Sequence, residues 1–206
     1  MYKRDDVDAE YVGHPLVEQI NEYMFLTREE LFAKYNLEPD KEILLILPGS
    51  RKHEIEKIFP RTLRAAERLN NKFNLQTVVA GTSNIDESFF DKYRDISDFK
   101  LITGKTYDLL ANAKFGIIKS GTSTLEAGLF KLPFIVVYST SALTFSIGKR
   151  LVKIDSIALA NIVAEEKIVD ELIQKELTEE NLYRKVSEIL GDEDKLYELR
   201  QKLGKL

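Results

Sequence analysis

The chain has 206 residues, of which 44% are hydrophobic and 31% are charged, and its formal net charge is −4. This composition is typical of a globular chain with room for one sizeable α/β domain, and it argues against a disordered protein and against one that mainly grips nucleic-acid phosphates. The chain has no cysteine, and its two histidines, His14 and His53, show no metal-binding spacing, so disulfides are excluded and a structural metal is not expected.

Short apolar runs alternate along the chain with segments of helical periodicity. In chain order they predict helices at residues 26–35, 53–73, 86–95, 107–113 and 123–131, and strands at residues 43–47, 77–80, 101–103, 115–118 and 134–138. The strands are apolar almost throughout, which is typical of strands buried on both faces of a parallel sheet. The alternation predicts an α/β fold with a Rossmann-like, doubly wound parallel sheet.

Local signals refine this pattern. Thr27 and Glu30 have the spacing of a capping box, and Pro60 is expected to kink or split the helix at 53–73. Beyond residue 138 the pattern predicts only helices: an apolar one at 141–153 and two amphipathic ones from about residue 178. We therefore expect residues 1–206 to form a single domain, with about 175–206 as a helical tail.

The first candidate site follows the predicted strand at 43–47. Pro48 and Gly49 predict a sharp turn, Ser50 is a candidate cap for the next helix, and Arg51 stands at the helix entrance. Backbone amides and a guanidinium at such a position can hold phosphate together. An ordinary strand-turn-helix connection with a solvated arginine explains the same residues about equally well.

The second candidate site follows the predicted strand at 115–118. Ser120, Gly121 and Thr122 would leave several amides open at a helix start, which suits an anion such as a pyrophosphate. Glu126 would lean back towards that helix start, where a carboxylate suits the paired hydroxyls of a ribose. A capping box formed by Ser123 and Glu126 is the alternative, although it leaves Ser120–Thr122 without a purpose.

Two further segments give weaker signals. Asn161 is a single amide in an apolar setting, and such a residue is most often a hydrogen-bonded turn residue. Gly104-Lys105-Thr106 has the form of the end of a P-loop, but the position five residues before Gly104 is Phe99 rather than glycine. A P-loop nucleoside triphosphatase is therefore not expected.

Taken together and in order, these motifs resemble those of the bacterial lipid-A-disaccharide synthase family. The resemblance rests on YVGHPL at 11–16, LPGSRxxEI at 47–55, SGTxTLEA at 120–127, and Asn161 followed by IVxELIQ at 168–174. Departures from the family pattern are Ala160 and Asp170, where proline is usual, and Ser139, where a basic residue is frequent.

The resemblance implies the C-terminal, donor-binding half of a GT-B glycosyltransferase. Arg51 and the Ser120–Thr122 helix start would hold the pyrophosphate, Glu126 the ribose, and Asn161 and Gln174 the donor sugar or phosphate side. His14 would lie near the domain junction. The implied substrate-binding set is Ser50, Arg51, Ser120, Gly121, Thr122, Glu126, Asn161 and Gln174.

The same resemblance implies an inverting transfer from UDP-2,3-diacylglucosamine to diacylglucosamine 1-phosphate, without cofactor or metal. The acceptor site and the catalytic base would belong to an N-terminal half, so this chain alone is expected to bind donor without turning it over, with its C-terminal helices packing towards that half. Another GT-B UDP-sugar enzyme, such as a UDP-N-acetylglucosamine epimerase or a peptidoglycan glycosyltransferase, and a non-catalytic α/β interaction domain remain as alternatives.

The sequence also bears on location. No apolar stretch reaches the roughly 18 residues needed to span a bilayer, and the first residues are charged. We expect a cytoplasmic chain, with the full-length protein peripheral on the cytoplasmic face of the inner membrane and no nucleic-acid partner.

Overall fold

Six parallel strands form one sheet in the computed structural model, which describes residues 15–140 and 156–206. The strands are β1 (Glu42–Leu47), β2 (Leu75–Gly81), β3 (Lys100–Thr103), β4 (Ala113–Lys119), β5 (Phe134–Tyr138) and β6 (Glu171–Ile173). Their spatial order is β3-β2-β1-β4-β5-β6, so the direction of winding reverses between β1 and β4. This order is that of a Rossmann-like doubly wound sheet, and it confirms the predicted fold class.

Helices cover both faces of the sheet. They are α1 (Pro15–Glu22), α2 (Arg28–Tyr35), α3 (Lys52–Phe73), α4 (Thr106–Asn112), α5 (Ser123–Leu129), α6 (Leu159–Ala164), α7 (Glu179–Leu190) and α8 (Glu193–Leu203), with short 3₁₀ helices at Glu87–Tyr93 and Gln174–Glu176. None of the helices in the described ranges is both long and apolar enough to cross a membrane.

The alternation of side chains along each strand divides the core into two layers. Leu44 and Ile46 of β1 pack in the layer that contains α3 and α7, whereas Ile43, Leu45 and Leu47 pack in the layer that contains α2 and α4. All five are at most 7% exposed. Because both faces are buried, the strand reads as a continuous apolar run, which is the pattern that the sequence shows.

Several local predictions are corrected. A sixth strand, β6, follows residue 138; it has only three residues and begins with Glu171, which is too short and too polar for a periodicity signal. Helix α3 continues unbroken through Pro60, because the buried neighbours Phe59 and Leu63 hold the helix against the sheet on both sides of the lost hydrogen bond. The predicted helix at 86–95 is a shorter 3₁₀ helix, Glu87–Tyr93. The capping box of Thr27 and Glu30 is confirmed.

The C-terminal helices pack on this domain. Leu196, Leu199 and Leu203 of α8 are 3%, 9% and 1% exposed, and they contribute to the two core layers. The apolar stripe of α8 is therefore covered by this chain itself, and the expectation that the C-terminal helices pack towards an N-terminal half stays a prediction. His14 and the predicted helix at 141–153 lie outside the described residues.

Asn161 of α6 joins that helix to the edge of the sheet. Its amide nitrogen donates to the carbonyl of Val169 (2.9 Å) and to Glu171 Oε1 (3.0 Å), and its oxygen accepts from the backbone N–H groups of Ile168 and Val169, each at 2.9 Å. Since Asn161 is only 3% exposed, its side chain satisfies buried backbone groups that water cannot reach.

This geometry predicts that Asn161→Ala destabilises the fold. The substitution leaves two backbone N–H groups and one carbonyl without partners, at about 1–3 kcal/mol for each group that remains buried. We expect chemical denaturation to show a loss of roughly 3 kcal/mol or more. Asn71→Ala, at an exposed position of α3, is the control and should change stability by less than about 0.5 kcal/mol. Equal stability of the two variants would contradict the structural role of Asn161.

Candidate functional site

A cleft opens where the carboxyl ends of β1, β2, β3 and β4 meet. Its volume is about 670 Å³. It spans the point at which the strand order reverses, where open α/β sheets bind their ligands because the following helices diverge to opposite faces. The lining residues are Tyr23, Leu47, Gly49, Ser50, Arg51, Ala80, Gly81, Thr82, Gly104, Thr106, Tyr107, Lys119, Ser120, Gly121, Thr122, Ser123 and Glu126.

The turn after β1 forms one side of this cleft. Gly49 has a φ of +97°, a conformation that side chains with a Cβ rarely adopt. Arg51 is the N-terminal cap of α3, but its side chain makes no capping hydrogen bond and is 67% exposed. Ser50 was expected to cap α3 and does not; its carbonyl instead accepts from Asn84 at 2.8 Å. The guanidinium therefore stands at the cleft mouth beside an uncapped helix start.

The turn after β4 forms the facing side. A Cβ placed on Gly121 would meet nothing within 4 Å, so the backbone here is open to a ligand. Helix α5 begins at Ser123 with Thr122 as its cap, and no side chain caps it. The alternative interpretation, a capping box of Ser123 and Glu126, is therefore wrong. The N–H groups of Thr124 and Leu125 donate to the carbonyls of Gly121 and Thr122, and within the described residues those of Thr122 and Ser123 are left for another partner.

The Ser120 turn is held from behind by residues 157–159. Ser120 Oγ donates to the carbonyl of Ile157 at 2.8 Å, and Thr124 Oγ1 accepts from the N–H of Leu159 at 3.1 Å. In turn, the carboxylate of Glu171 accepts from Ser156 Oγ and from the N–H groups of Ile157 and Ala158. The position of the turn thus depends on contacts far away in sequence.

Glu126 is a half-buried carboxylate in the cleft wall. It forms no hydrogen bond or ion pair with any other residue in the described ranges, and burial raises its pKa above the ordinary value. The neighbouring Tyr107 phenol also has a raised pKa, first because of its burial and second because of the negative charge of Glu126. A carboxylate that is desolvated without partners is costly, and a ligand that donates hydrogen bonds would relieve that cost.

Not all predicted residues reach the cleft. Ser50, Arg51, Ser120, Gly121, Thr122 and Glu126 line it together. Asn161 is enclosed by its own hydrogen bonds behind the Ser120 turn. Gln174, at the end of β6, accepts from Ser139 Oγ (3.3 Å) and from the N–H of Thr140 (3.0 Å), and it does not line the cleft.

The sequence did not predict that residues following β2 and β3 form part of the cleft wall. Thr82, Gly104 and Thr106 line the cleft, and the Thr82 hydroxyl is buried without a hydrogen-bond partner. The Gly104-Lys105-Thr106 segment, set aside because it lacks the rest of a P-loop, is therefore part of the site for a different reason. It follows β3, and the ends of parallel strands meet at one edge.

Tyr23 closes the same end of the cleft. Its hydroxyl donates to Asp108 Oδ2 at 2.6 Å, and the other carboxylate oxygen accepts from the N–H of Leu26 at 2.8 Å. Asp108 is fully buried, with Lys105 3.4 Å away. The pKa of Tyr23 is raised, chiefly by burial and by its hydrogen bond to Asp108. Nothing in the sequence indicated this link between the segment before α2 and helix α4.

Lys119 is a further cleft residue to which the sequence assigned no role. It ends β4 and brings an ammonium group to the cleft floor, with its Nζ 3.0 Å from Glu54 Oε2. The cleft thus combines open amides, hydroxyls and two cationic side chains around one unpartnered carboxylate. Such a set can bind a polyanion and, at Glu126, a hydroxyl donor. Within residues 15–140 and 156–206 no group of three or more histidines or acidic residues is arranged to hold a metal ion.

Solved structures share this fold at low sequence identity. WaaG, described as a glycosyltransferase involved in lipopolysaccharide biosynthesis, aligns over 90% of this chain and 48% of its own with a TM-score of 0.59 and 14% identity. UDP-GlcNAc 2-epimerase from Neisseria meningitidis, solved bound to UDP-GlcNAc, aligns over 89% of this chain and 46% of its own with a TM-score of 0.57 and 14% identity. The domain is therefore one Rossmann-like half of a GT-B fold.

Sequence relatives are more specific. The lipid-A-disaccharide synthase of Syntrophus aciditrophicus is 35% identical over 99% of this chain, and that of Persephonella marina is 37% identical over 89%. These alignments cover 56% and 50% of the relatives, so the chain spans about half the length of the curated relatives it matches. The model of the family described as lipid-A-disaccharide synthetase matches residues 1–205. The chain belongs to the lipid-A-disaccharide synthetase family.

Proposed function

We propose that this chain is the donor-binding half of an inverting glycosyltransferase that forms the lipid A disaccharide 1-phosphate from UDP-2,3-diacylglucosamine. The observation that carries the proposal is the cleft at the β1/β4 reversal, where two glycine turns, Arg51 and the unpartnered Glu126 face one volume. Membership of the family and the nucleotide-sugar ligand of a structural neighbour support it.

The two turns suit the diphosphate of the donor. Amides after Gly121 and the Arg51 guanidinium approach the cleft from opposite sides, so one ligand can accept hydrogen bonds from both. Hydrogen bonds from charged donors to phosphate are about twice as strong as neutral ones. We propose that these groups replace a divalent cation, so that UDP binds equally well in EDTA and in Mg²⁺.

Glu126 suits the ribose. Vicinal hydroxyls donate two hydrogen bonds to one carboxylate, and Glu126 is half-buried, ionisable and without a protein partner. Ionisation of Glu126 is unfavourable because its carboxylate is partly removed from water, and ribose hydroxyls that donate to it would offset this desolvation cost. In this proposal Asn161 and Gln174 act behind the site by fixing the loops, rather than on the sugar itself.

The chemical contribution of this half is stabilisation of the leaving UDP. As the bond from the anomeric carbon to the phosphate oxygen breaks, negative charge grows on the diphosphate, and pre-positioned donors stabilise that charge more than the ground state. The base that deprotonates the acceptor hydroxyl, and the wall that positions the acceptor, would come from the half of the relatives that this chain does not span. The assembled enzyme would work at the cytoplasmic face of the inner membrane, as a peripheral protein.

A second candidate function is that of another GT-B UDP-sugar enzyme. The fold likeness to UDP-GlcNAc 2-epimerase favours it. The acyl chains of the donor discriminate between the two. Tighter binding of UDP-N-acetylglucosamine than of UDP-2,3-diacylglucosamine, measured side by side, would favour the second candidate.

Arg51→Ala is expected to weaken UDP binding by about 1.5–3 kcal/mol, the range for a hydrogen bond to a charged group. Isothermal calorimetry with UDP, ADP and GDP, each in EDTA and in Mg²⁺, measures this and the base preference together. Arg64→Ala, an exposed arginine of α3 away from the cleft, is the control and should bind UDP normally. Equal affinity for the three nucleotides would contradict the uridine assignment.

Glu126→Gln should weaken UDP binding and at the same time stabilise the unliganded fold at pH 7. The folded-state pKa of Glu126 is raised by burial, so its ionised form opposes folding, and this penalty grows as pH rises through the folded pKa. Thermal melts from pH 4 to 8 should therefore show wild type gaining stability relative to the variant as pH falls. Over the same interval UDP affinity should fall more steeply in wild type than in the variant, since protonation of Glu126 removes one of the two carboxylate acceptors for the ribose hydroxyls, whereas the protonation of the terminal phosphate of UDP affects both proteins alike. A variant that melts earlier and binds UDP normally would show that Glu126 supports the fold instead.

The isolated chain is expected to make no disaccharide, however well it binds donor, because much of the acceleration in such a transfer comes from positioning the acceptor. Donor and acceptor should be incubated with this chain, with a separately expressed N-terminal half of a relative, and with both. Product from this chain alone would mean that the base lies within it.

A further inference from the structure

An ion pair between a buried carboxylate and a partly buried ammonium crosses the floor of the cleft. Lys119 ends β4 with its side chain 15% exposed, and its Nζ lies 3.0 Å from Oε2 of Glu54, which is 5% exposed. The other oxygen of Glu54 lies 3.4 Å from the Arg51 guanidinium. One carboxylate in the first turn of α3 therefore neutralises two cations that stand beside the open turns.

The contact between Lys119 and Glu54 is an ion pair without hydrogen-bond alignment. Glu54 Oε2 has no well-aligned donor although it is buried, so the ammonium is close but keeps protons for another acceptor. The Lys119 stem passes under Gly49, where a Cβ would lie 3.2 Å from Lys119 Cδ. The lysine thus lies between the β1 turn and the β4 turn, and it lines the cleft.

Stability alone gives little reason for this arrangement. Burying two charges costs about as much as their attraction returns, and apolar side chains of similar size are often as stable in such places. The pair stands at the one end of the sheet where a polyanion is expected. A ligand charge would give the ammonium a second, better-aligned partner.

We propose that Lys119 is a ligand of the donor diphosphate and that Glu54 is its internal counter-ion, with which the diphosphate competes. This inference rests on the proposed function, because it names a further residue of the same site. When UDP enters, the ammonium donates to a phosphate oxygen, and Glu54 keeps the cation in place when the cleft is empty.

The proposal predicts that substitutions of Lys119 and of Glu54 change the affinity for UDP in opposite directions. Lys119→Met removes a cationic donor and should weaken UDP binding by about tenfold or more. Glu54→Gln removes the competing anion, so UDP should bind roughly threefold tighter or more, although the unliganded protein is less stable because a buried ammonium loses its partner. Neither change should alter the affinity for uridine, which carries no phosphate.

Calorimetric titrations of UDP and uridine test this on the full chain, with circular dichroism to verify folding. Lys52→Met is the matched control: it removes a neighbouring charge on α3 that packs over Phe89 and does not line the cleft, so UDP affinity should stay within about twofold of wild type. Lys119→Arg keeps the charge and should retain most of the affinity. If Lys119→Met does not fold, the double variant Glu54→Gln/Lys119→Met removes the pair without leaving a lone buried charge and should bind UDP as weakly as expected for Lys119→Met.

The titrations distinguish a failure of the Lys119 and Glu54 proposal from a failure of the proposed donor-binding function. Opposite shifts in UDP affinity, with uridine unchanged, support a ligand and its counter-ion. Shifts in the same direction, equal losses for UDP and uridine, or wild-type UDP affinity in the double variant overturn the proposal and leave UDP binding itself intact. If wild type binds no uridine nucleotide at all, the proposed function fails instead.

Discussion

The strand order dictates where this protein can hold a ligand. Because winding starts at β1 and proceeds in opposite directions, the connections that leave β1 and β4 run to opposite faces of the sheet. Within residues 15–140 and 156–206 no connection covers the gap between their carboxyl ends, and the cleft is that gap. This topology brings Arg51, which follows β1, to the same cleft as Lys119, the open amides and Glu126, which lie more than 60 residues later in the chain.

The cleft combines a network of hydrogen bonds that holds its wall from behind with polar groups that face the ligand space. Behind the β4 turn, the Glu171 carboxylate accepts hydrogen bonds from the N–H groups of Ile157 and Ala158, and the carbonyl of Ile157 accepts one from the Ser120 hydroxyl. Asn161 ties the same region to the loop before β6. These hydrogen bonds are buried or partly buried, so they fix the backbone. The groups that face the cleft differ: among the residues that the structure describes, the Glu126 carboxylate and the Thr82 hydroxyl have no hydrogen-bond partner, so both are available to a ligand.

The sequence predicted the sheet well because five strands are buried on both faces and read as unbroken apolar runs. It also located the two glycine-containing turns that line the cleft, since glycine and small hydroxyl residues after a strand have a local physical meaning. It left alternatives open where the meaning depends on partners. Ser123 and Glu126 fit a capping box by spacing, and only the structure shows that Glu126 lines the cleft while the helix start stays uncapped. Asn161 matched a family motif, and its contacts are those of a structural clamp.

The sequence by itself determined the fold class, the family and the two turns, because apolar periodicity and residues with special backbone preferences are local properties that can be seen in one window of chain. Only the tertiary structure decided which charged side chains meet in the site. Lys119 and Glu54 lie 65 positions apart, and although Glu54 belongs to the motif at 47–55, neither segment shows that the two residues meet. The pairing of β1 with β4 sets them 3.0 Å from each other. Electrostatic interactions depend on distance and burial in the folded chain, and neither is written in sequence order.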